Sequence, residues 1–530
     1  MKILKHYNFI NLTTLTMIQK IKTYTNIWLQ GYEIVIEADS NRSLPTIDII
    51  GLPDAAIKES KERIRGTFRH CNVDIPAQKI IMNLAPSDIR KEGTRFDLPM
   101  AVALLLLCKD RKNNHENMIQ EALFFWELGL DGMVKRIDWL LPSVLTAIRD
   151  GYTDFFIPAD NIYEVEYISG ITIYPIHHFN EIVDHFFGSQ DITPYIVTSS
   201  VEELYHTTHN IEADFAHIKW HILAKRALCV AAAGLHNVLM IGSPGSGKTM
   251  LARALQSILP PLGFEEILEV SQIYSLVGKL SKHTPLITQR PFRQVHHTAS
   301  KISIIWWGKN LTPGEISLAH KGILFFDELP EFPRETLEVL RQPLEDKTIA
   351  ISRVTGTVQY PANFMFVATM NPSPCGYYND PEIPCKCSYN EIKRYQGKVS
   401  WPLLDRIDMI LEIPREKIEN ILDIWPGESS ETLRVKVMNA RRRQQERFVN
   451  TDLVANAHMS SKHIDHYIIL DKKSKDFVKQ AANSLHLSPR VIHRTLKLAL
   501  TIADMENNNQ VEIKHIAEAL QYRNKNMFIE

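Results

Sequence analysis

The stretch that most constrains this chain is "IGSPGSGKTM", Ile241 to Met250. It follows a short apolar run, "NVLMI", and precedes "TMLARALQSIL", whose apolar residues recur at helical spacing. Gly242, Ser243, Pro244, Gly245, Ser246, Gly247, Lys248 and Thr249 fit the pattern G-x-x-x-x-G-K-[ST]. A bare loop between a strand end and a helix start turns its N–H groups inward. Together with the helix dipole they make a seat for a polyphosphate. In that reading Lys248 reaches the terminal phosphates of ATP and the Thr249 hydroxyl ligates magnesium.

From 211 to 415 the apolar runs "NVLMI", "GILFFDE", "NFMFVATMN" and "MILEIP" recur between helical stretches. That alternation after a phosphate loop predicts an α/β domain, a parallel sheet with helices on both faces. "GILFFDELPEF" ends its strand in Asp327 and Glu328. The first carboxylate suits magnesium held through water, and the second suits polarising an attacking water. A solvated turn is the plain alternative, and the phosphate loop upstream weighs against it. "NFMFVATMN" ends in Asn371, an amide able to orient water or sense a γ-phosphate. Asn before Pro is also an ordinary turn. Arg406, in "WPLLDRIDMI", stands between two aspartates. It either pairs locally with Asp405 or Asp408 or reaches a neighbour's nucleotide as a charge-stabilising finger. In "LSPRVIHRTL", Ser488 suits a helix N-cap and Pro489 the first helical position. Arg490 then projects from the first turn, against the dipole, and so calls for an anionic partner.

The rest of the 530 residues is read more coarsely. Residues 17–186 alternate strand-like runs such as "YEIVIEA" and "KIIMNLA" with helical ones, a second α/β domain. Residues 187–210 turn polar, as a linker does, and 416–530 carry amphipathic helices, a lid. Residues 1–16 read as an extension, with Met17 an alternative start. "LPMAVALLLLC" is too short to cross a bilayer and reads as a buried helix. With no secretory signal and six cysteines, three of them clustered, the expectation is a cytoplasmic protein with no membrane partner. A net charge of −1 advertises no global affinity for nucleic acid, so DNA contacts must come from a local patch or pore. "EDKTIAISRVTGTVQY" predicts a hairpin turning at Thr355-Gly356, on which Lys347 and Arg353 could follow phosphates. A merely solvated hairpin is nearly as good a reading.

These elements in this order resemble the AAA+ ATPases of the magnesium-chelatase-like branch, and more closely the ComM/YifB competence-type ATPases. "FRQVHHTAS", "PGEISLAHKGILFFDELPEF", "YPANFMFVATMNPSPCGYY", "PLLDRID", "IIGLPDAAIKESKERIR" and "NLAPSDIRKEG" are similar to blocks of that family. The resemblance runs from Met17 to Arg523. It implies Walker A roles for Lys248 and Thr249, Walker B roles for Asp327 and Glu328, and sensor one at Asn371. It further implies the arginine finger at Arg406 and the sensor-two arginine at Arg490. The implied protein is a hexameric, ATP-driven DNA helicase promoting branch migration in natural transformation or recombination. The rivals are a chelatase-like ATPase remodelling a protein partner, and a regulatory module with residual ATPase.

By the same resemblance the N-terminal domain is Lon-protease-like, with the ribosomal S5 domain 2-like fold. A serine–lysine dyad is absent, however: "KEGTRFDLPMA" has no serine after its glycine, and "RIDWLLPSVLTAIRDG" has no lysine. A scaffold or partner-binding role is expected instead. Where the family often has a fourth cysteine this chain has Ser373, leaving Cys375, Cys385 and Cys387. Three thiolates with a water or a histidine could hold zinc; reduced thiols in a loop are the alternative. Trp220 and His221 replace a common Gly-Gln beside the expected base pocket, and Trp401 a common glycine.

Overall fold

The computed structural model describes residues 18–528 apart from 28, 90, 92, 109–115, 189, 198–212, 219, 308–311, 354, 355, 416–426 and 524–527. The extension 1–16, most of the linker 187–210, the first lid residues and the hairpin tip at Thr355 therefore lie outside the described residues. Two compact units emerge, one of residues up to Glu203 with Tyr274–Leu286, the other of Leu204–Ile273 with Ile287–Glu530.

The first unit is built on a seven-stranded mixed sheet. In spatial order its strands are Thr46–Ile50, Lys79–Ala85, Gln30–Asn41, Gln19–Ile27, Leu123–Phe124, Asp154–Pro158 and Thr172–Ile176. The helix Asp97–Cys108 carries the longest apolar run of the sequence and buries Leu98 and Met100 to Leu105 completely. Its one charged residue, Asp97, is buried too, and is held by Ser60 Oγ and the Arg63 guanidinium. The helix Ala55–His70 starts where Asp54 accepts from the Ile57 N–H. The loop that enters the helix Asp97–Cys108 is held by its side chains. Arg95 stacks over the Trp139 ring at 4.1 Å, and Thr94 bonds Glu127.

The second unit contains a five-stranded sheet, parallel throughout, in the order Phe292–Val295, Ile323–Phe326, Met365–Met370, Val238–Ile241, Met409–Glu412. Four of these strands are the apolar runs read from the sequence. The fifth, Phe292–Val295, was not read as a strand: it is the sheet edge, and only Val295 is buried. The central strands are buried at every position, which is why they read as continuous apolar runs.

Helices Ser430–Arg447, Ser461–Tyr467, Lys472–Ser484, Pro489–Met505 and Ile513–Gln521 follow. They share one apolar core with helices Ile222–Gly234 and Lys248–Ile258. Ser488 caps the Val491 N–H with Pro489 at the helix start, as its sequence dictates. Two buried carboxylates fasten this layer. Asp504 binds Arg447 and Asn456, and Asp408 binds Arg494 and the N–H of Asn237.

Candidate functional site

Register places the site. Phe326 lies opposite Ala368, and Ile241 opposite Met370. The residues that follow, Asp327, Thr369, Gly242 and Asn371, are therefore neighbours at the carboxyl tips of three adjacent parallel strands. This is where such sheets bind ligands.

The loop from Gly242 to Gly247 leaves the strand and enters the helix Lys248–Ile258. A Cβ on Gly242 would sit 2.2 Å from the Ile413 carbonyl oxygen, so only glycine lets the next strand pass. Gly245 and Gly247 have φ of +78° and +85°, and a Cβ built on Gly245 meets nothing within 4 Å. The concavity is open above the loop, and its donor set fits a polyphosphate.

Lys248 Nζ donates to the carbonyls of Gly242 and Ser243 at 2.8 and 2.9 Å, and to Asn371 Oδ1 at 3.2 Å. Burial brings its ammonium down to about 8, while the charges of Asp327 and Glu328 pull the other way. Thr249 Oγ1 donates to Asp327 Oδ2 at 3.1 Å. A hydroxyl and a carboxylate this close form the hard oxygen pair that magnesium takes beside a phosphate. Glu328 is exposed at the strand tip, with φ of +54°, a backbone conformation that costs energy in a residue with a Cβ and concentrates at functional sites.

Thr369 belongs to this cluster and was not singled out by sequence. It is fully buried, donates to Asp327 and accepts the Glu328 N–H. The available signal was a hydroxyl inside an otherwise apolar strand, two residues before Asn371. Trp220 and His221 lie against the same loop. A His221 ring nitrogen is 2.9 Å from the Ser246 carbonyl, and the Trp220 indole nitrogen would be 3.9 Å from a Cβ on Gly247.

Arg406 and Arg490 stand apart from these residues. Arg406 precedes the strand Met409–Glu412, and its carbonyl accepts from Asn237, just before Val238. It is therefore at the amino end of the sheet, a strand length of about 13 Å from the tips. Its guanidinium pairs with Glu345 and with the Pro402 carbonyl, where the sequence suggested Asp405 or Asp408. Arg494 also bonds the Arg406 carbonyl, so Arg490, one turn earlier and exposed, is at that same end.

The strands Thr348–Arg353 and Gly356–Pro361 pair antiparallel as the expected hairpin. Lys347 roots the hairpin in a left-handed turn and is half-buried; burial lowers its pKa, and the Asp408 charge opposes that shift. The Arg353 side chain lies outside the described ones.

After Asn371 the chain enters a loop bearing Cys375, Cys385 and Cys387, whose sulfurs all lie within 4.8 Å of one another. Burial raises the Cys375 thiol, but hydrogen bonds from Ser373 and from the N–H groups of Tyr377 and Lys386 outweigh it and bring it down to about 6. No helix among the described residues is long and apolar enough to cross a membrane.

Comparison with known proteins agrees with this geometry. The family description "Magnesium chelatase, subunit ChlI" matches residues 214–421, "Subunit ChlI of Mg-chelatase" matches 36–161, and "Magnesium chelatase, subunit ChlI C-terminal" matches 427–523. The competence protein ComM of Haemophilus influenzae is 37% identical over 499 residues, 93% of this chain and 95% of its own. YifB of Escherichia coli is 37% identical over 505 residues, 95% of this chain and 96% of its own. The magnesium-chelatase 67 kDa subunit of Chlorobaculum parvum is 28% identical over 193 residues, 36% of this chain and 25% of its own. With a phosphate-type loop, paired carboxylates and a helical C-terminal layer common to one framework, and 37% identity to ComM and YifB over nearly the whole chain, the chain belongs to the ComM/YifB family of magnesium-chelatase-like ATPases.

Proposed function

We propose that this protein is an ATP-hydrolysing AAA+ motor that works on DNA as a homohexamer, a helicase promoting branch migration in transformation or recombination. The observation that carries the ATPase half is the meeting of Lys248, Thr249, Asp327 and Asn371 at three neighbouring strand tips. In this reading the loop N–H groups of 242–249 cradle the phosphates and Lys248 neutralises the terminal ones. Thr249 and Asp327 hold magnesium, which supplies charge neutralisation when bound. Glu328 takes the proton of the attacking water, and Asn371 orients that water against Lys248.

Arg406 and Arg490 complete the reading in trans. Both belong to the sheet end remote from Lys248, so they serve a neighbour's nucleotide and not their own. A ring supplies that geometry at every interface. Residues 211–415 are the ATPase domain, 416–530 its lid and 17–186 a Lon-like, non-proteolytic scaffold, joined by the linker 187–210 and preceded by the extension 1–16. A cytoplasmic location is part of this reading.

DNA as the substrate rests on the competence protein that resembles this chain over nearly its whole length, and on the hairpin Thr348–Pro361. The chelatase-like relative, matched over a third of the chain, keeps a protein partner as the second reading. ATPase rate with and without single-stranded and forked DNA, run beside a native mass measurement with nucleotide, tests the proposal. Stimulation by DNA and a hexameric mass are expected. An unchanged rate with both DNAs sinks the motor reading and leaves the protein-remodelling one.

A further inference from the structure

Arg406 is anchored by its backbone and loosely held by its side chain. Its carbonyl accepts from Asn237 Nδ2 at 3.0 Å and from Arg494 Nη1 at 3.2 Å, which fixes it against the helix Pro489–Met505. Its guanidinium donates from Nη1 to the Pro402 carbonyl at 2.8 Å and pairs through Nη2 with Glu345. Nε is buried and has no hydrogen-bond partner, so the guanidinium is incompletely satisfied where it stands. The Glu345 side chain keeps 53% of its surface exposed, against 16% for Arg406. An ion pair with one partner this exposed is worth about a fivefold preference at most. A phosphate accepts charge-assisted, bidentate bonds from arginine and outcompetes a single exposed carboxylate. The pair is weak enough to exchange.

Glu345 is next to last in the helix Arg341–Asp346. Lys347 follows with φ of +58°. Its N–H bonds the Pro343 carbonyl at 3.1 Å, and its own carbonyl accepts the Ala362 N–H at 2.8 Å. Those two bonds join the helix to both ends of the hairpin Thr348–Pro361, so a shift of the helix end carries the hairpin with it. Beyond Ala362 the chain enters the strand Met365–Met370, which ends at Asn371. The start of the same helix is tied to the segment bearing Arg406. Arg341 Nη2 donates to Ser400 Oγ at 3.2 Å, and Ser400 precedes the helix Trp401–Leu404. A phosphate that takes Arg406 breaks the Glu345 tie and leaves the Arg341 tie standing.

We propose that Glu345 is a positioning residue for the reaction: its carboxylate holds Arg406 in the resting chain, a neighbour's nucleotide phosphate displaces it, and the released helix end shifts the hairpin Thr348–Pro361. Linkage makes the effect reciprocal. DNA that favours the shifted hairpin frees Arg406 for the neighbour, so the DNA dependence of ATP turnover runs through Glu345. This role rests on the reading above, in which Arg406 acts in trans and DNA lies on the hairpin.

The test is the ATPase rate of the full-length protein with and without a poly-dT oligonucleotide. Glu345→Gln keeps the shape and removes the charge. It should raise kcat without DNA about fivefold at little change in KM, and DNA should then add no more than about twofold. Glu345→Asp keeps the charge and should restore most of the DNA dependence. In an Arg406→Ala background, Glu345→Gln should change nothing. A DNA-free rate equal to wild type with stimulation intact overturns the role, as does a rise that persists without Arg406. Lower rates with and without DNA, beside a lower Tm, mark a merely structural residue and overturn it too. A wild-type rate that DNA leaves unchanged condemns the motor reading and the hairpin link with it; the DNA-free rates then decide the Arg406 exchange alone. Assembly gives a readout independent of turnover. With ATP trapped in Glu328→Gln, adding Glu345→Gln should lower the concentration for half-assembly about fivefold by native mass. An unchanged concentration overturns the exchange.

Discussion

Thr369 Oγ1 donates a 2.5 Å hydrogen bond to Asp327 Oδ1 and accepts the N–H of Glu328 at 3.1 Å. One buried hydroxyl thus aims both carboxylates of the strand tip. Thr369→Val keeps the shape and removes the hydroxyl. Turnover should fall about 10- to 100-fold with a raised magnesium requirement, as for other groups that orient metal ligands. ATP affinity without magnesium should stay within about threefold, because Lys248 and the loop are untouched. Magnesium titrations of ATPase rate beside equilibrium binding decide it; an unaltered magnesium requirement removes Thr369 from the mechanism.

The half-buried ammonium of Lys248 has its pKa lowered to about 8 by desolvation. Only the charged form attracts phosphate, so the free protein loses affinity as pH rises through that value. ADP binding should be about tenfold weaker at pH 9 than at pH 7. Lys248→Arg keeps its charge across that range and should flatten the profile, whatever its absolute affinity. Lys248→Ala should abolish binding.

Glu328 is exposed and is held in its left-handed backbone conformation at the strand tip. Glu328→Gln preserves shape but cannot take a proton, so it should bind ATP normally and hydrolyse it at least about a hundredfold more slowly. Single-turnover assays on trapped ATP check this, and near-normal turnover would assign the proton elsewhere.

Arg406 pairs with Glu345 within its own chain, on the sheet end remote from Lys248. If it also serves a neighbour, Arg406→Ala should bind ATP yet lose about a thousandfold in turnover, as finger arginines do. Mixing Arg406→Ala with Lys248→Ala subunits should then restore partial activity, since some interfaces join an intact loop to an intact finger. Activity should also rise steeply with protein concentration. No recovery on mixing, with no dilution effect, confines Arg406 to its ion pair.

Burial alone would raise the pKa of Asp408, yet Arg494, His236 and the Asn237 N–H hold it well below the usual aspartate range. A depressed carboxyl contributes stability that is complete above the unfolded pKa of about 3.9 and is lost as pH falls below it. Asp408→Asn should destabilise the second unit by about 3 kcal/mol by leaving the Arg494 guanidinium without its charge partner. Much of the acid-side loss in stability should vanish with it. Denaturant melts of both proteins between pH 3 and pH 7 compare the two slopes; equal slopes would exclude Asp408 as the titrating group.

The sequence alone determined whatever a few consecutive residues dictate. The glycines of 242–247 impose their loop, the continuous apolar runs around Leu239, Phe325 and Val367 impose buried parallel strands, and Ser488-Pro489 starts a helix where it stands. Asp327, Asn371 and Lys248 were legible because each ends or follows such a run. Tertiary structure alone decided the pairings between distant positions. Phe292–Val295 joins the sheet by docking at its edge, where Arg and Gln are tolerated and no apolar run is needed. Thr369 finds Asp327 only through strand register, and Arg406 meets Glu345 sixty-one positions away. Asp408 meets Arg494, eighty-six positions away, only once the helix Pro489–Met505 packs beside the sheet. Ser373 stands where three sulfurs converge only once Cys385 and Cys387 have folded back against it. Local chain geometry depends on steric preferences that each residue carries with it; which side chains meet depends on how whole layers pack, and that is a property of no single stretch.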